Sequence, residues 1–298
     1  MLRYDDPWAR GTFLSYTVTK VYEMFETEFQ RIEVFEAEEF GTVLALGGVT
    51  NVTDRDESAY HELLAHLPLL CHPNPRRVLI IGGGDGGTLR EVLRHPEVQE
   101  AVLVDIDGEV IRCAKQYFPK LAVAFEDPRA DVRVADGVAF VANAAAAGEK
   151  FDVILVDSTD PVDAAVDLFT ESFYRGCATL LGDSGILVPQ SDSLTFCIDR
   201  VVGIHRNLSA IFGSVTPYAG HCLTYPGAYW AFMGATNGRA LSPEHVDGKR
   251  LAAFAEELRF INEPHARAVF ALPQYVVRAL AGAPPSDLPS VCDVPPVD

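Results

Sequence analysis

The stretch RVLIIGGGDGGTLREVLRHPEVQEAVLVDID, residues 77–107, decides how the rest of the chain is interpreted. It opens with a continuous apolar run, residues 78–81, which is short enough for a strand buried on both faces. Five glycines then surround Asp85, a helical pattern follows, and a second apolar strand ends at Asp105. A strand, a glycine turn, a helix and a second strand ending in an acid are typical of nucleoside sites, where the acid holds ribose hydroxyls. Asp85 is unusual inside such a turn, because a carboxylate there repels a pyrophosphate and attracts a cation.

Strands and helices alternate after Arg77, which predicts a mostly parallel sheet with helices on both faces. The strands are expected at 78–82, 101–105, 131–135, 152–156 and 185–189. The helices are expected at 87–94, 108–117, 137–147, 170–181 and about 196–212. We interpret this α/β arrangement as Rossmann-like, of the type found in methyltransferases. Because ligands bind at the carboxyl ends of parallel strands, one crevice is expected to collect four acids, Asp85, Asp105, Asp136 and Asp157.

The chain before this sheet has a different pattern. Residues from about 13 to 55 alternate apolar and polar side chains, as a strand with one buried face does. Turn signals at Glu39-Phe40-Gly41 and Gly47-Gly48 predict antiparallel hairpins. A helix is expected from residue 56 or 57 to Leu67, and the prolines that follow it predict a short linker.

We therefore divide the chain into two predicted domains. Residues 1–72 form an N-terminal β-hairpin domain that ends in the helix. Residues 73–298 form a Rossmann-like catalytic domain with a helical C-terminal extension, in which helices are expected at 248–258 and about 265–281. The Pro-rich end of the chain is expected to be loose.

The composition limits the kinds of partner and compartment. The 298 residues carry 42 acidic and 24 basic side chains, and the resulting net charge of −18 argues against a nucleic-acid partner. No apolar run reaches the roughly 18 residues of a membrane span, and the N-terminus lacks the apolar segment of a signal peptide. The six cysteines are scattered without metal-ligand spacing. We therefore expect reduced thiols, a cytoplasmic protein and no metal site.

The acids in the expected crevice indicate chemistry on an amine. An aliphatic ammonium has a pKa of about 10.4, so it must lose a proton before it can act as a nucleophile at neutral pH. Asp157 follows a buried strand, where it can accept that proton, and Tyr60 and Tyr225 are available to position the amine. An Asp after a strand is as often a turn residue, and Tyr60 on an apolar helix face can simply be packed. A nucleoside site beside an amine site favours alkyl transfer from a sulfonium donor to an amine.

Several motifs occur in one order from about residue 14 to residue 281, nearly the whole chain. They are RDE at 55–57, YHE at 60–62, HPNPRRV at 72–78, GGGDGG at 82–87, DSTDP at 157–161, TYP at 224–226 and FALPQY at 270–275. With this combination the chain resembles the polyamine aminopropyltransferase family, to which the spermidine synthases belong.

The resemblance implies a reaction, its two substrates and the residues that bind them. The donor would be decarboxylated S-adenosylmethionine, the acceptor would be a diamine such as putrescine, and no prosthetic group would be needed. In the family, the Asp of the glycine turn and the first Asp of DSxDP hold the donor's ammonium, and the latter would also be the general base. The implied donor contacts are Gln30, Gly83, Asp85, Asp105, Asp136 and Gly137. The implied acceptor contacts are Tyr60, His61, Asp157, Asp160 and Tyr225.

The chain departs from the family pattern at positions that concern the acceptor more than the reaction. Asp163-Ala164-Ala165 replaces the usual loop sequence after DSxDP, and Asn51 stands where a Gln is usual, whereas Asp192 is a candidate contact for the acceptor's distal amine. Three alternatives therefore stay open: another acceptor (agmatine, cadaverine or spermidine itself), an S-adenosylmethionine methyltransferase, and a non-catalytic polyamine-binding protein. The resemblance also implies a homodimer or homotetramer, to which the N-terminal β region contributes.

Overall fold

The structure, a computed structural model, describes residues 2–9, 11–159 and 163–283, which form two β-sheets surrounded by helices. The strands of the small N-terminal sheet are β1 (Leu2–Ala9), β2 (Thr12–Glu26), β3 (Arg31–Ala37), β4 (Gly41–Leu46) and β5 (Val49–Thr53). The elements that follow, up to the end of β9, are α1 (Glu57–Cys71), β6 (Arg77–Gly82), α2 (Gly87–Leu93), β7 (Glu100–Asp105), α3 (Gly108–Tyr117), α4 (Pro119–Ala122), β8 (Ala130–Val134), α5 (Gly137–Ala146) and β9 (Phe151–Asp157). The remaining elements are α6 (Glu171–Leu180), β10 (Leu181–Ser193), α7 (Ile198–Ser209), β11 (Ser214–His221), β12 (Tyr229–Thr236), α8 (Gly248–Ala252), α9 (Glu263–Ala268) and α10 (Gln274–Leu280).

The large sheet has seven strands in the order β11-β12-β10-β9-β6-β7-β8. The five strands from β10 to β8 are parallel, and β12 and β11 are added antiparallel at one end. With the antiparallel N-terminal sheet, this confirms the predicted α/β class. The chain runs from β6 outward through β7 to β8 and then returns to β9 on the other side of β6. The direction of winding therefore reverses between β6 and β9, and a crevice at their carboxyl ends is the expected ligand site.

The central strands are buried on both faces, as their continuous apolar sequences predict. In β6, Val78 and Ile80 pack with Leu63 of α1 in one core cluster, because alternate side chains of a strand point to the same face. Leu79 and Ile81 face the opposite side, in a second cluster to which α5, α6 and α7 contribute. β6 is therefore packed between two apolar layers, and the glycine turn begins at the end of this well-packed strand.

The N-terminal sheet lies against the helices of the large domain. Ile32, Val34 and Leu44 on one of its faces pack with Val110 and Phe118, which belong to α3 and the residue after it. By contrast, α1 is buried in the core of the large sheet rather than against the hairpins. The division of the chain at residue 72 stays a prediction.

Some element predictions differ from the structure. β11 and β12 were not predicted, partly because Pro217 lies in β11, where an edge position lets the missing N–H face away from the ladder. The single helix expected at about 265–281 is wrong. It is two helices, α9 and α10, because Pro273 cannot donate a helical hydrogen bond and precedes the second one.

Two further expectations concern membranes and cysteines. Within the described ranges, no helix is both long enough and apolar enough to cross a bilayer. Cys71, Cys113, Cys177 and Cys222 are buried free thiols, as expected. Cys197 is disulfide-bonded, which contradicts the expectation that every thiol is reduced. The compartment in which the protein works stays a prediction.

Candidate active site

A cavity of about 630 Å³ lies at the carboxyl ends of β6, β7 and β9. Its volume is within the range of sites that enclose small ligands. Its wall contains residues predicted from the sequence to form the site: Gln30, Tyr60, Gly83, Asp85, Asp105, Asp136, Gly137, Asp157 and Tyr225. The four strand-end acids therefore do share one crevice. Asp160 lies outside the described residues.

The glycine turn holds the ends of β6 and β9 together. Gly83 has a φ of 71°, a conformation that favours glycine, and its N–H donates to the backbone oxygen of Asp157 at 2.8 Å. A Cβ at Gly83 would lie 2.8 Å from Oδ2 of Asp157. Any side chain at this position would consequently push the Asp157 carboxylate away from the turn.

Asp157 ends β9 and has no salt bridge within the described part of the chain. Its Oδ1 accepts a 2.8 Å hydrogen bond from the hydroxyl of Tyr60. Thr88 is close enough to favour the charged carboxylate, yet neither its hydroxyl nor Oδ2 of Asp157 has a hydrogen-bond partner within the described part of the chain. Burial, and next the nearby charge of Asp85, raise the pKa of Asp157 to about 6. Such a carboxylate is suited to take up and release a proton near neutral pH.

Asp85 lies close to Asp157 but has the opposite electrostatic surroundings. Its Oδ1 accepts a 2.7 Å hydrogen bond from the N–H of Gly87 and lies 3.3 Å from Nε2 of His61. Burial alone would raise the pKa of Asp85, but His61 outweighs it and holds that pKa below its ordinary value. One nitrogen of His61 and one oxygen of each acid lie within 4.8 Å of one another, so the two acids can share one cationic group.

His61 itself lies behind Asp85, away from the cavity. It is only 2 % exposed, and its second nitrogen, Nδ1, lies 2.8 Å from Oε2 of Glu57. Burial disfavours a charged ring, yet Asp85 and Glu57 raise the pKa of His61 well above its ordinary value. A direct contact between His61 and substrate stays a prediction. Glu57 was missed, although an acid four residues before a histidine on a helix indicates such a pair.

The end of the cavity near β7 and β8 carries the remaining predicted donor contacts. Both oxygens of Asp105 are engaged, since they accept from the N–H groups of Gly84 at 2.8 Å and Asp107 at 2.9 Å. Burial raises the pKa of Asp105 to about 6. Asp136 caps α5 by accepting from two backbone N–H groups at 2.7 and 3.0 Å. The side chain of Gln30 donates to Asp107 at 3.2 Å. These bonds fix the polar wall of a nucleoside-sized space before any ligand enters.

Tyr225 is held at the opposite wall by two sets of bonds. Its hydroxyl donates to the backbone oxygen of Asn51 at 2.7 Å, and its ring packs edge-on against Tyr60 with 5.3 Å between centroids. The preceding Thr224 donates through its N–H to Asp56 at 2.9 Å. The loop between β11 and β12 is thereby tied to the start of α1, which brings both tyrosines to the same wall.

Comparisons with known proteins agree with this geometry. Residues 57–242 match the family model "Spermine/spermidine synthase domain", and residues 3–54 match "Spermidine synthase tetramerisation domain". The polyamine aminopropyltransferase of Bacillus subtilis (strain 168) is 40 % identical over 92 % of this chain and 97 % of its own length. That of Thermotoga maritima is 40 % identical over 91 % of this chain and 90 % of its own. A crystal structure of spermidine synthase in complex with the transition state analogue AdoDATO superposes with a TM-score of 0.89, at 38 % identity, covering 94 % of this chain and 95 % of that one.

The chain belongs to the spermine/spermidine synthase family. The resemblance inferred from the motifs is confirmed, and the protein is an enzyme of the polyamine aminopropyltransferase class. A non-catalytic polyamine-binding protein and a methyltransferase are thereby set aside.

One part of this spermine/spermidine synthase site was not foreseen. Asp192 and Arg200 form an ion pair that is 2 % and 3 % exposed, and both residues line the cavity. Asp192 has a φ of 72° and its Oδ1 accepts from the N–H of Ser193 at 2.5 Å, so its direction is fixed. Burial raises the pKa of Asp192 although Arg200 opposes the shift. The sequence predicts Asp192 as a contact for the acceptor's distal amine, but in the structure its charge already has a counter-ion.

Proposed function

We propose that the enzyme transfers the aminopropyl group of decarboxylated S-adenosylmethionine to putrescine, and that spermidine and methylthioadenosine are the products. The arrangement that carries the proposal is the pair of acids at the glycine turn. Asp85 and Asp157 lie within one ammonium group's reach of each other, and their environments favour different protonation states. One acid suits a permanent contact to a cation, and the other suits proton transfer.

The donor is expected to lie with its nucleoside against Gln30, Asp105 and Asp136. Its aminopropyl ammonium would then reach Asp85 and Asp157, which attract a positive charge. Ordinary S-adenosylmethionine carries a carboxylate beside that ammonium, and two of the acids that line the cavity, Asp85 and Asp157, lie at this side. Repulsion of the extra carboxylate supports the decarboxylated donor as the substrate.

The acceptor amine must lose a proton before it attacks. Burial disfavours an ammonium and lowers its pKa, while burial has the opposite effect on the carboxylate. The two pKa values are therefore brought closer together than in water, and Asp157 can take the proton while Tyr60 holds its other oxygen. The nitrogen lone pair then forms a bond to the carbon beside the sulfonium. That carbon–sulfur bond breaks, its electron pair stays on sulfur, and neutral methylthioadenosine leaves.

The test is identification of the product by mass spectrometry. Purified enzyme is given decarboxylated S-adenosylmethionine with an equimolar mixture of putrescine, cadaverine and agmatine, and with spermidine in a separate reaction. We expect spermidine and methylthioadenosine as the main products, with putrescine consumed first. Preferential consumption of another amine would replace putrescine in the proposal. Absence of methylthioadenosine with every amine would contradict the proposed reaction itself.

We also propose that the enzyme is a homo-oligomer, dimeric or tetrameric, assembled through its N-terminal sheet. The tetramerisation family model covers residues 3–54. Four large apolar side chains of β1 and β2 are between 43 % and 57 % exposed, namely Leu2, Phe13, Val21 and Met24. A second copy of the chain is the natural cover for exposed apolar side chains of this kind. Light scattering is expected to give at least twice the 32.5 kDa mass of one chain, and a monomeric mass would contradict the proposal.

A further inference from the structure

Two carboxylates this close together in a largely shielded site pose an electrostatic problem. Neighbouring acids in a shielded site tend to share one proton, and the proton can then reside on either one. Such sharing would be harmful in the proposed reaction, because the acid that binds the donor's ammonium has to stay charged. The side chains around Asp85 favour its charged form, so that the shared proton is expected to reside on Asp157.

Together with Asp85 they form a line of four side chains with alternating charge. The guanidinium of Arg90 contacts both oxygens of Glu57, at 3.2 and 2.8 Å. Glu57 lies 2.8 Å from Nδ1 of His61, and Nε2 of the same ring lies 3.3 Å from Asp85. The order of charges is plus, minus, plus, minus, and only the last member lines the cavity. All four side chains are at most 14 % exposed, so solvent screens these contacts weakly.

The groups facing His61 come from every element around it. Glu57 and the edge of the Tyr60 ring belong to α1, Asp85 belongs to the glycine turn, and Asp157 ends β9. Three of these four neighbours are acids, and Arg90 of α2 reaches the ring only through Glu57. The balance of charge around the ring favours the protonated imidazolium, which donates from both nitrogens.

The last glycine of the turn gives independent geometric support. An added Cβ at Gly87 would lie 2.1 Å from Cε1 and 2.2 Å from Nδ1 of His61, so the ring lies flat against this backbone. The N–H of Gly87 also donates to Asp85. Gly87, the last residue of GGGDGG, therefore leaves space for the ring of His61 beside Asp85.

We propose that Arg90, Glu57 and His61 form a positioning relay that keeps Asp85 a fixed carboxylate for the donor's ammonium and leaves Asp157 as the acid that exchanges the proton. The inference rests on the proposed function, and it assigns His61 a role through Asp85 rather than through a contact to substrate. The relay acts from outside the cavity, so it stabilises charge without taking space from either substrate.

The experiment compares two ligands that share a nucleoside and differ in the aminopropyl arm and its two positive charges, the sulfonium and the ammonium. Decarboxylated S-adenosylmethionine carries the aminopropyl ammonium, whereas methylthioadenosine has the same nucleoside without it. Dissociation constants of both are measured by calorimetry at pH 7.5 for the wild type and for His61→Gln. The glutamine amide can still donate to Asp85 but carries no charge. We expect the decarboxylated donor to bind about tenfold more weakly or worse, while methylthioadenosine binds within about twofold of wild type.

Two further variants separate the relay from general damage. Glu57→Gln leaves His61 and Asp85 in place, and we expect a smaller loss in the same direction, because the ring loses one of its acids. His66→Gln is the matched control, since His66 is a buried histidine of the same helix that contacts Glu91 instead of Asp85. We expect it to leave the ratio of the two dissociation constants unchanged.

The pH profile supplies a second readout. In His61→Gln, the low-pH limb of kcat/KM for the amine is expected to move upward by about one pH unit, because Asp157 then faces an uncompensated Asp85. Equal weakening of both ligands, or an unchanged ratio with an unmoved limb, would overturn the relay. Failure of the proposed function is a different result, namely a wild type that makes no aminopropylated product.

Discussion

The cavity contains two carboxylates, the partly buried Asp85 and the buried Asp192, that each pair with a cation, and the position of the cation differs between them. At Asp85 the counter-ion is His61, which lies behind the carboxylate and does not line the cavity. At Asp192 the counter-ion is Arg200, which lines the cavity together with the acid. A cation placed behind a carboxylate stabilises its charge and leaves its outer face available, whereas one placed beside it in the wall cancels the charge toward a ligand. Charge alone therefore does not make an acid a receptor for an ammonium.

Asp157 differs from both cases, because it accepts from Tyr60 and has no salt bridge among the described residues, although the nearby charge of His61 also lowers its pKa. This leaves it able to gain and lose a proton, whereas Asp85 is held charged. In the proposed function, the different roles of the two acids therefore depend on their neighbours rather than on the acids themselves.

The largest expected effect comes from removing the uncompensated acid. Asp157→Asn keeps the size of the side chain and cannot accept the proton, so kcat should fall by about 10³-fold or more. The affinity for methylthioadenosine, measured by calorimetry, should stay within a few-fold of wild type because Asp105 and Asp136 are untouched. The matched variant Asp85→Asn should instead lose affinity for the decarboxylated donor. Equal kinetic and binding profiles for the two variants would abolish the distinction between the acids.

An intermediate effect is expected when the cation in the cavity wall is removed. In Arg200→Met, Asp192 loses its counter-ion and can pair with a second ammonium instead, so longer polyamines should become better acceptors. We expect kcat/KM for spermidine relative to putrescine to rise by about tenfold, the value of one additional charged contact. Breaking a buried pair also destabilises the fold, so the ratio of two substrates on one preparation is the quantity to measure.

Two controls belong to the Arg200 experiment. The double variant Asp192→Asn with Arg200→Met removes the pair without leaving a charge, and the gain for spermidine should disappear. Arg206→Met changes an exposed arginine of the same helix and should leave the ratio unchanged. A gain that persists in the double variant would mean that Arg200 excludes long amines by its size and not by its charge.

The sequence predicted the glycine-turn end of the cavity well, and there is a physical reason. A parallel strand buried on both faces has a short, continuous apolar sequence, so its end can be located from the sequence. The first residues beyond the ends of such strands lie at the same edge of the sheet. The positions of Asp85, Asp105, Asp136 and Asp157 follow from that rule. Glu57 could have been added, because four residues on a helix place it beside His61.

The Asp192 end could not be predicted in the same way. Arg200 meets Asp192 because β10 is followed directly by α7, and the sequence does not show which face of that helix turns back to its own strand. Tyr225 reaches the cavity through β11 and β12, two antiparallel strands whose pairing depends on residues far apart in the chain. The hydroxyl of Tyr225 donates to the backbone oxygen of Asn51. Because every residue has such an oxygen, a sequence motif does not predict this contact.

The smallest expected effect concerns the hydroxyl that Asp157 accepts from. Burial raises the pKa of Asp157 to about 6, so kcat/KM should fall as the pH drops through that value, because a protonated carboxyl cannot take the amine's proton. The bond from Tyr60 favours the charged form and lowers this pKa. In Tyr60→Phe the low-pH limb should therefore move upward, with about a threefold loss near pH 6 and little loss at pH 8. Tyr225→Phe is the control, because its hydroxyl binds Asn51 and the limb should not move. A loss in Tyr60→Phe that is equal at every pH would show instead that the hydroxyl positions the amine, and the uncompensated state of Asp157 would then depend on burial and Asp85 alone.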